Sequence, residues 1–298
     1  MSERHPLASR AYAEALAGRE AVIAVPEWGA HVTRRPTPDG LCDAIGTYPL
    51  QVFARGADLA GGLQRLAAEG LVSMVMVPDP LLCPAAGLAR DFAVCRPFKT
   101  HFLVEPARGF EPSKHHRERI RRGHRRCDVR QVALGDHLAD WTALYDGLVA
   151  RHSITGPAAF SEAYFRMLAA EPAICAFAAF VDGACAGMTL WFEAEGAVYN
   201  HLTAANELGY RNGANFALYD AAIARFMDAG VMNLGGGAGF ADADDGLTAF
   251  KRGFANGEVQ AHICGAVLDQ AAYDRLSAGR DGTRFFPAYR APMAAAAA

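Results

Sequence analysis

Two aromatic side chains with exchangeable protons stand two residues apart in the second half of the chain. Tyr199 and His201 flank Asn200 in a predicted strand, and side chains at such spacing point to the same face of a sheet. His201 could accept a proton near neutral pH because the unperturbed pKa of histidine is about 6.5. A hydrogen-bonded histidine in a half-buried sheet is the alternative, and the residues alone leave both interpretations open. Asn200 is expected on the opposite face.

Further along, three consecutive glycines follow a short apolar run: Gly235, Gly236 and Gly237. Glycine has no Cβ and lets the backbone approach a ligand closely, so this turn is a candidate binding loop. A tight loop without a ligand is the plainer interpretation. The acidic residues Asp242, Asp244 and Asp245 come next, but their spacing is irregular and we expect no metal. Asp244 or Asp245 is expected to cap the following helix.

The densest positive charge lies between residues 113 and 126, where a helix is predicted to begin at Lys114. Arg117, Arg121 and Arg125 recur every four residues, so a helix places them on one face. Together with Lys114, that face could bind the phosphates of a nucleic acid or a diphosphate. A solvated helix between domains is the alternative.

Strand and helix signals alternate along the chain and predict an α/β (α+β) fold. The first part contains predicted strands at 22–25, 48–53, 72–77 and 100–104 and predicted helices at 59–66 and 82–92. The second part contains predicted strands at 173–181, 185–192, 197–203, 231–234 and 259–267 and predicted helices at 138–149, 160–168, 216–227, 247–251 and 271–276. The turns Asp182-Gly183 and Glu195-Gly196 make a three-stranded antiparallel meander. A break around Pro106, Gly109 and Pro112 separates the halves. We therefore expect a first domain over 1–110, a basic linker helix over 111–130 and a second domain over 131–298.

The segment from Tyr199 to Phe254 resembles the Fem family of peptidoglycan aminoacyltransferases and related acetyltransferase-like domains of the GNAT superfamily. The similarity rests on Tyr199–Ala205, on Arg211–Asn215 before a long helix, on the glycine turn and on Leu247–Phe254. It is clear over roughly residues 113–260 and faint before them. The resemblance implies two tandem GNAT-like domains, each a mixed central sheet flanked by helices, the first of them degenerate.

The resemblance also implies roles for individual residues. In Fem proteins the lysine matching Lys251 lies at the acceptor end of aminoacyl-tRNA, where a cation stabilises an oxyanion or binds the terminal phosphate. Phe250 could stack on a base; the alternative is a solvated lysine beside a core phenylalanine. GNAT enzymes bind the donor's phosphates where a helix begins. Here Arg211 and Gly213 match that pattern, whereas Asn215 replaces a small residue, and these residues could simply cap the helix.

Taken together, these features predict an N-acyltransferase that forms an amide bond by direct attack of an acceptor amine on an activated acyl donor. Aminoacyl-tRNA is the expected co-substrate. An acyl-CoA-dependent N-acetyltransferase and a non-catalytic GNAT-like binding module are the alternatives. We expect a small-molecule or peptide amine as acceptor, tRNA as a possible partner and no permanently bound cofactor.

Composition argues against several other classes of protein. The net charge of −3 and the pI of about 6.4 exclude a general polycation. Seven scattered cysteines without a Cys-x-x-Cys pair argue against a disulfide framework or a zinc site and suit the cytoplasm, where we expect the protein. The sequence contains no Gly-x-Ser-x-Gly motif of a serine nucleophile. No run approaches the roughly 18 apolar residues of a membrane span. The sequence leaves the oligomeric state open.

Overall fold

The computed structural model describes residues 5–238, 245–280 and 285–291. Its contacts divide the chain into two compact units. The central unit comprises Met1–Pro6 and Lys99–Gln260, and the terminal unit comprises Leu7–Phe98 and Ala261–Ala298. This division differs from the consecutive domains expected from the sequence: the basic helix belongs to the central unit, and the chain after residue 260 belongs with the N-terminal residues.

The terminal unit begins with the elements α1 (Arg10–Ala17), β1 (Val22–Val25), β2 (Ala30–Pro36), β3 (Cys42–Gly46), α2 (Leu59–Ala68), β4 (Leu71–Met76) and α3 (Ala85–Asp91). Strand β5 (Val94–Val104) leads into the central unit. In the terminal unit β1 and β2, like β2 and β3, pair antiparallel, whereas β3 and β4 are parallel.

The central unit continues with α4 (Lys114–His124), β6 (Asp128–Val132), α5 (Leu138–His152), α6 (Glu162–Ala169), β7 (Ile174–Val181), β8 (Ala184–Ala194), β9 (Ala197–Ala205), α7 (Glu207–Asn212), α8 (Ala214–Arg225), β10 (Val231–Asn233) and α9 (Gly246–Arg252). Its strands lie in the order β5-β10-β9-β8-β7-β6. Only the β9–β10 pair among them is parallel in the described registers, so the sheet is mixed. The predicted α/β class is confirmed.

The chain then returns to the terminal unit through β11 (Gly257–Val267) and α10 (Gln270–Ser277). Residues 264–267 of β11 pair antiparallel with Met76–Ser73 of β4. This pairing explains why the chain after residue 260 does not complete the central unit.

The meander of β7, β8 and β9 is confirmed, together with both of its turns. Asp182 and Gly183 have φ of 50° and 83°, and Glu195 and Gly196 have φ of 52° and 78°. Two successive residues with positive φ fit the twist of a two-residue hairpin.

The predicted strand at 48–53 is wrong. The side chain of Gln51 supplies hydrogen bonds that a ladder would otherwise make: its Oε1 accepts from the Thr47 amide, and its Nε2 donates to the Val52 carbonyl. Gln51 retains only an isolated bridge to Pro78. The hairpin of β2 and β3 was not predicted, because Thr33, Arg34 and Arg35 interrupt its apolar pattern.

Helices cover both faces of the central sheet. Helix α8 packs on β7 and β8, and α5 packs on β8 and β9. The core beneath α8 contains the fully buried side chains of Trp191, Tyr219 and Phe254. Burying each large apolar side chain stabilises the fold by about 2 kcal/mol. No helix within the described residues is both long enough and apolar enough to span a bilayer.

Candidate functional site

The glycine turn begins where β10 leaves the sheet. The Leu234 amide donates to the Phe102 carbonyl, and the Phe102 amide donates to the Gly235 carbonyl. Gly235 has φ of 76°, a conformation that favours glycine. Just before it, Asn233 is 2% exposed, and its side-chain Oδ1 accepts from the Gly235 amide at 2.8 Å. The side-chain amide of Asn233 therefore lies against the turn.

Helix α9 delivers Lys251 to the same turn. Asp245 caps this helix as expected, since its Oδ1 accepts from the Thr248 amide at 2.7 Å. The Lys251 Nζ donates to the Gly236 carbonyl at 2.7 Å, and the residue is 9% exposed. Burial and, secondarily, the charge of Lys99 lower the pKa of Lys251 to about 7. The alternative of a solvated lysine is wrong.

Lys99, on β5, is the site residue that the sequence analysis missed. Its Nζ donates to the Gly237 carbonyl at 3.0 Å, one residue from the carbonyl that Lys251 contacts. One signal was present in the composition: the 29 basic residues include only three lysines, Lys99, Lys114 and Lys251. Two of them meet at this turn, and lysine shifts its pKa on burial far more readily than arginine.

All three glycines of the turn are enclosed by neighbours. A Cβ on Gly235 would lie 3.1 Å from the Lys251 Nζ, and one on Gly236 would lie 3.0 Å from the Thr100 carbonyl and 3.3 Å from the Lys99 side chain. A Cβ on Gly237 would lie 2.1 Å from the Thr248 hydroxyl. The backbone of this turn therefore closely approaches the two lysines and α9.

Phe250 lies within an aromatic cluster. Its ring centroid lies 5.0 Å from Phe216, 4.8 Å from Tyr219 and 5.2 Å from Phe254. Its carbonyl hydrogen-bonds His116 Nε2 at 2.8 Å. These contacts fit the core interpretation of Phe250, and they join α9 to the buried side of α4.

Tyr199 and His201 share one face of β9, as predicted. Tyr199 is 4% exposed and stacks on Phe192 with ring centroids 4.9 Å apart. His201 Nε2 lies 2.6 Å from the Tyr164 hydroxyl, and burial lowers the pKa of His201 to about 3. A histidine with so low a pKa is a weak proton acceptor at neutral pH, so this environment fits a structural histidine better than a general base.

The opposite face of β9 carries Asn200, whose Oδ1 accepts from the Tyr219 hydroxyl at 2.7 Å. Tyr219 in turn contacts Phe250. Phe250 therefore lies on the α8 side of the sheet, whereas Tyr199 and His201 lie on the other side. The structure does not bring the predicted catalytic and donor-binding residues into one cluster.

The segment before α8 follows a splayed strand pair. Strands β9 and β10 pair only over Ala197–Tyr199 and Val231–Asn233, although β9 continues to Ala205. Gly213 then has φ of 79° and faces α4, where a Cβ on Gly123 would lie 2.7 Å from the Gly213 carbonyl.

Arg211 and Asn215 lie on either side of Gly213. Arg211 is exposed, and its carbonyl accepts from the Arg122 guanidinium at 3.4 Å. The side-chain Oδ1 of Asn215 is buried with no hydrogen-bond partner among the described residues. Backbone conformation and helix packing thus account for Gly213 without a ligand.

Helix α4 has the predicted two faces. Ser113 caps it, and its buried side carries His116, Ile120 and Gly123. The four basic residues predicted to bind phosphates are exposed: Lys114, Arg117, Arg121 and Arg125. Beyond the end of the helix, Arg125, Arg126 and Arg130 line a cleft of about 390 Å³. The basic face is accessible, as phosphate binding requires.

No group of three or more His, Cys, Asp or Glu residues in the described ranges could hold a metal ion. Asp242 and Asp244 lie outside those ranges.

Comparison with known proteins agrees with this architecture. Residues 114–252 match the family model of the acetyltransferase (GNAT) domain, Acetyltransf_6. Residues 114–252 therefore resemble a GNAT acetyltransferase domain, and this match supports an acyltransferase. No curated protein sequence matches the chain.

Solved structures with the same fold include FemX, with a TM-score of 0.59 and 12% identity over 82% of this chain and 86% of that one. L-PGS from Bacillus licheniformis has a TM-score of 0.57 and 14% identity over 90% and 94%. The C-terminal domain of an Agrobacterium fabrum protein, provisionally assigned as a lysylphosphatidylglycerol synthetase, has a TM-score of 0.60 and 17% identity over 86% and 87%. The chain thus has a Fem-like fold.

Proposed function

We propose that this acyltransferase forms an amide bond by direct attack of an acceptor amine on aminoacyl-tRNA. The observation that carries the proposal is the buried Lys251 at the glycine turn, in the segment that resembles the Fem family. A cation held in a site of low dielectric stabilises developing negative charge more strongly than one in water.

In the proposed reaction, the amine nitrogen attacks the ester carbonyl carbon of the donor and a C–N bond forms. Lys251, in its ammonium form, stabilises the tetrahedral oxyanion. The C–O bond to the ribose then breaks, and the ribose oxygen receives the proton that the amine loses. His201 has no proton to accept in this scheme, which agrees with its low pKa. Tyr199 supports the sheet through its stack on Phe192.

The basic face of α4 supports a tRNA donor. Arg117 and Arg121 are exposed on α4 and Arg125 is exposed at its C-terminal cap, and a phosphate backbone is an extended anion that such a row of cations fits. The helix contacts α9 through the hydrogen bond between His116 and Phe250, so the proposed phosphate contacts and Lys251 lie on two helices that touch each other.

Acyl-CoA is the second candidate donor, and two observations favour it. The matched family is described as an acetyltransferase domain. The splay between β9 and β10, followed by Arg211 and Gly213, also agrees with the GNAT pattern for donor phosphates. Against it, the packing of α4 on Gly213 explains that glycine without a ligand.

The deciding experiment compares binding of charged tRNA with binding of acetyl-CoA at several salt concentrations. We expect tRNA binding that weakens with salt, and a charge-matched pair of triple variants isolates the basic ridge. One variant changes Arg117, Arg121 and Arg125 to Gln. The other changes the exposed residues Arg151, Arg166 and Arg225 to Gln. The first should reduce the logarithmic salt slope by about 2 and the second should leave it unchanged.

Transfer is then measured by mass spectrometry with a panel of amines, and with phosphatidylglycerol, because the name of one of the similar structures refers to its lysyl ester. Binding of acetyl-CoA without tRNA would move the assignment to an acyl-CoA enzyme. Binding of neither donor would favour a non-catalytic module.

A further inference from the structure

The turn at residues 235–237 holds two ammonium groups on adjacent carbonyls. Lys251 Nζ donates to the Gly236 carbonyl and Lys99 Nζ donates to the Gly237 carbonyl. Like charges repel, and the charge of Lys99 is one of the causes that lower the pKa of Lys251. Asp245 acts in the opposite direction, but no carboxylate among the described residues forms an ion pair with Lys251. An anion bound between the two ammonium groups would relieve this repulsion.

Asn233 adds a donor at the same turn. It is 2% exposed, its Oδ1 is fixed by the Gly235 amide, and its Nδ2 has no hydrogen-bond partner among the described residues. An unsatisfied buried donor destabilises the fold, and a ligand that accepts a hydrogen bond from it would remove that cost. The bond to Oδ1 fixes the orientation of the amide, leaving its NH₂ group as the available end.

We propose that Lys99 and Asn233 bind a phosphate group of the donor at this turn, beside the ammonium group of Lys251. The inference rests on the proposed function only for the source of that phosphate, which is the terminal nucleotide of the tRNA. The phosphate that joins this nucleotide to the tRNA is a diester with one negative charge and two free acceptor oxygens, which suits one ammonium group and one amide NH₂ with a second ammonium group nearby. Lysine binds phosphate as a compact point charge with rotatable donors, so the Lys99 side chain can turn from the Gly237 carbonyl to the anion.

The chain offers an unusually direct test, because it contains only three lysines. Protein labelled with ¹³C at lysine Cε gives one NMR signal each for Lys99, Lys114 and Lys251, assigned with single Gln variants. AMP is the probe, and adenosine, which lacks the phosphate, is the ligand control. AMP should shift the signals of Lys99 and Lys251, raise the pKa of Lys251 and leave exposed Lys114 unmoved.

Affinity for AMP provides the second readout. Lys99→Gln and Asn233→Leu should each weaken AMP binding about 10-fold or more, because each removes a donor to a charged group. Arg166→Gln, with the same loss of charge on exposed α6, should leave it unchanged. Lys99→Arg keeps the positive charge. If this variant folds and recovers part of the affinity that Lys99→Gln loses, the loss is due to the removed charge and not to misfolding.

Three results would overturn the inference: AMP that shifts only Lys251, equal binding of AMP and adenosine, or wild-type affinity in folded Lys99→Gln. None of these depends on tRNA binding. If AMP binds here and charged tRNA does not, the phosphate site stands and the proposed donor is wrong.

Discussion

The glycine turn and the aromatic face of β9 both bury a titratable side chain, but the two side chains have different neighbours. At the turn, Lys251 lies near a second lysine and contacts a neutral carbonyl. On β9, His201 is paired with the Tyr164 hydroxyl and lies near the rings of Phe160 and Phe192. The histidine is stabilised in its neutral form. The positive charge of Lys251 is opposed by burial and by Lys99, and no ion pair within the described part of the chain compensates for it.

On our proposal, this difference separates a phosphate-binding site from a region that supports the fold. A lysine usually keeps its ammonium group in solvent. A lysine that is buried beside a second lysine therefore lowers the stability of the fold unless a ligand supplies a compensating negative charge. A histidine with a hydroxyl partner and aromatic contacts is stabilised in its neutral form. Both regions lie on elements that resemble the Fem family, so motif similarity alone does not distinguish them.

The largest expected difference is in the rate of acyl transfer. Lys251→Gln should lower the rate by about 10²–10³-fold, the range found when an oxyanion donor is removed. His201→Gln should change it by less than about tenfold, because the loss of a general base typically costs 10²–10⁴-fold and we assign no such role to His201. The measurement is the single-turnover rate with the donor identified by the binding experiment.

Circular dichroism of both variants controls for folding. A fall of a hundredfold or more in folded His201→Gln, together with a changed pH profile, would restore His201 as a base and reverse the comparison.

The central unit was the easier part of the molecule to predict. Its strands end at residues with strong turn preferences, such as Asp182-Gly183, and its helices repeat apolar residues at helical spacing. In the terminal unit, the side chain of Gln51 takes up the Thr47 amide and the Val52 carbonyl, which a strand would pair with a neighbouring strand. The pattern of apolar residues does not predict this. The pairing of β11 with β4 joins distant parts of the chain and leaves no local signal.

The candidate site was predictable in part for a similar reason. Lys251 follows from its motif, and Asp245 follows from helix-capping preferences. Lys99 belongs to a strand far away in sequence, and its meeting with Lys251 depends on the sheet order. The low pKa of His201 comes from burial, which its alternating neighbours do not reveal.

The same comparison predicts two separate pH windows of stability. The folded pKa of Lys251, about 7, is below the unfolded value near 10.4, so the unfolded chain binds more protons between these pH values. Stability should therefore rise with pH across this window, by up to about 1.4 kcal/mol per pH unit from this one group. His201 has a folded pKa of about 3 and an unfolded value near 6.5, so its contribution should be lost as pH falls through that lower window.

Urea unfolding of wild type, Lys251→Met and His201→Gln from about pH 4 to pH 10 checks both windows. The gain in stability of Lys251→Met over wild type should be largest near pH 6 and shrink toward pH 10. His5, whose pKa burial lowers to about 4, titrates in the acid window, so the His201 contribution is taken from the difference between variant and wild type. A wild-type–Lys251→Met difference independent of pH would show that the lysine is charged or neutral throughout.

The smallest expected effect concerns the glycines. At Gly236 a Cβ would lie 3.0 Å from the Thr100 carbonyl and 3.3 Å from the Lys99 side chain, so Gly236→Ala should cost about 1–2 kcal/mol and displace Lys99. The matched control is Gly147→Ala in α5, where a Cβ has open space. That change should stabilise the protein by about 0.5–1 kcal/mol, because alanine is the better helix former. If Gly236→Ala were as stable as wild type and bound AMP equally well, the turn would tolerate a shifted Lys99, and the contrast between a constrained binding turn and an ordinary loop would be lost.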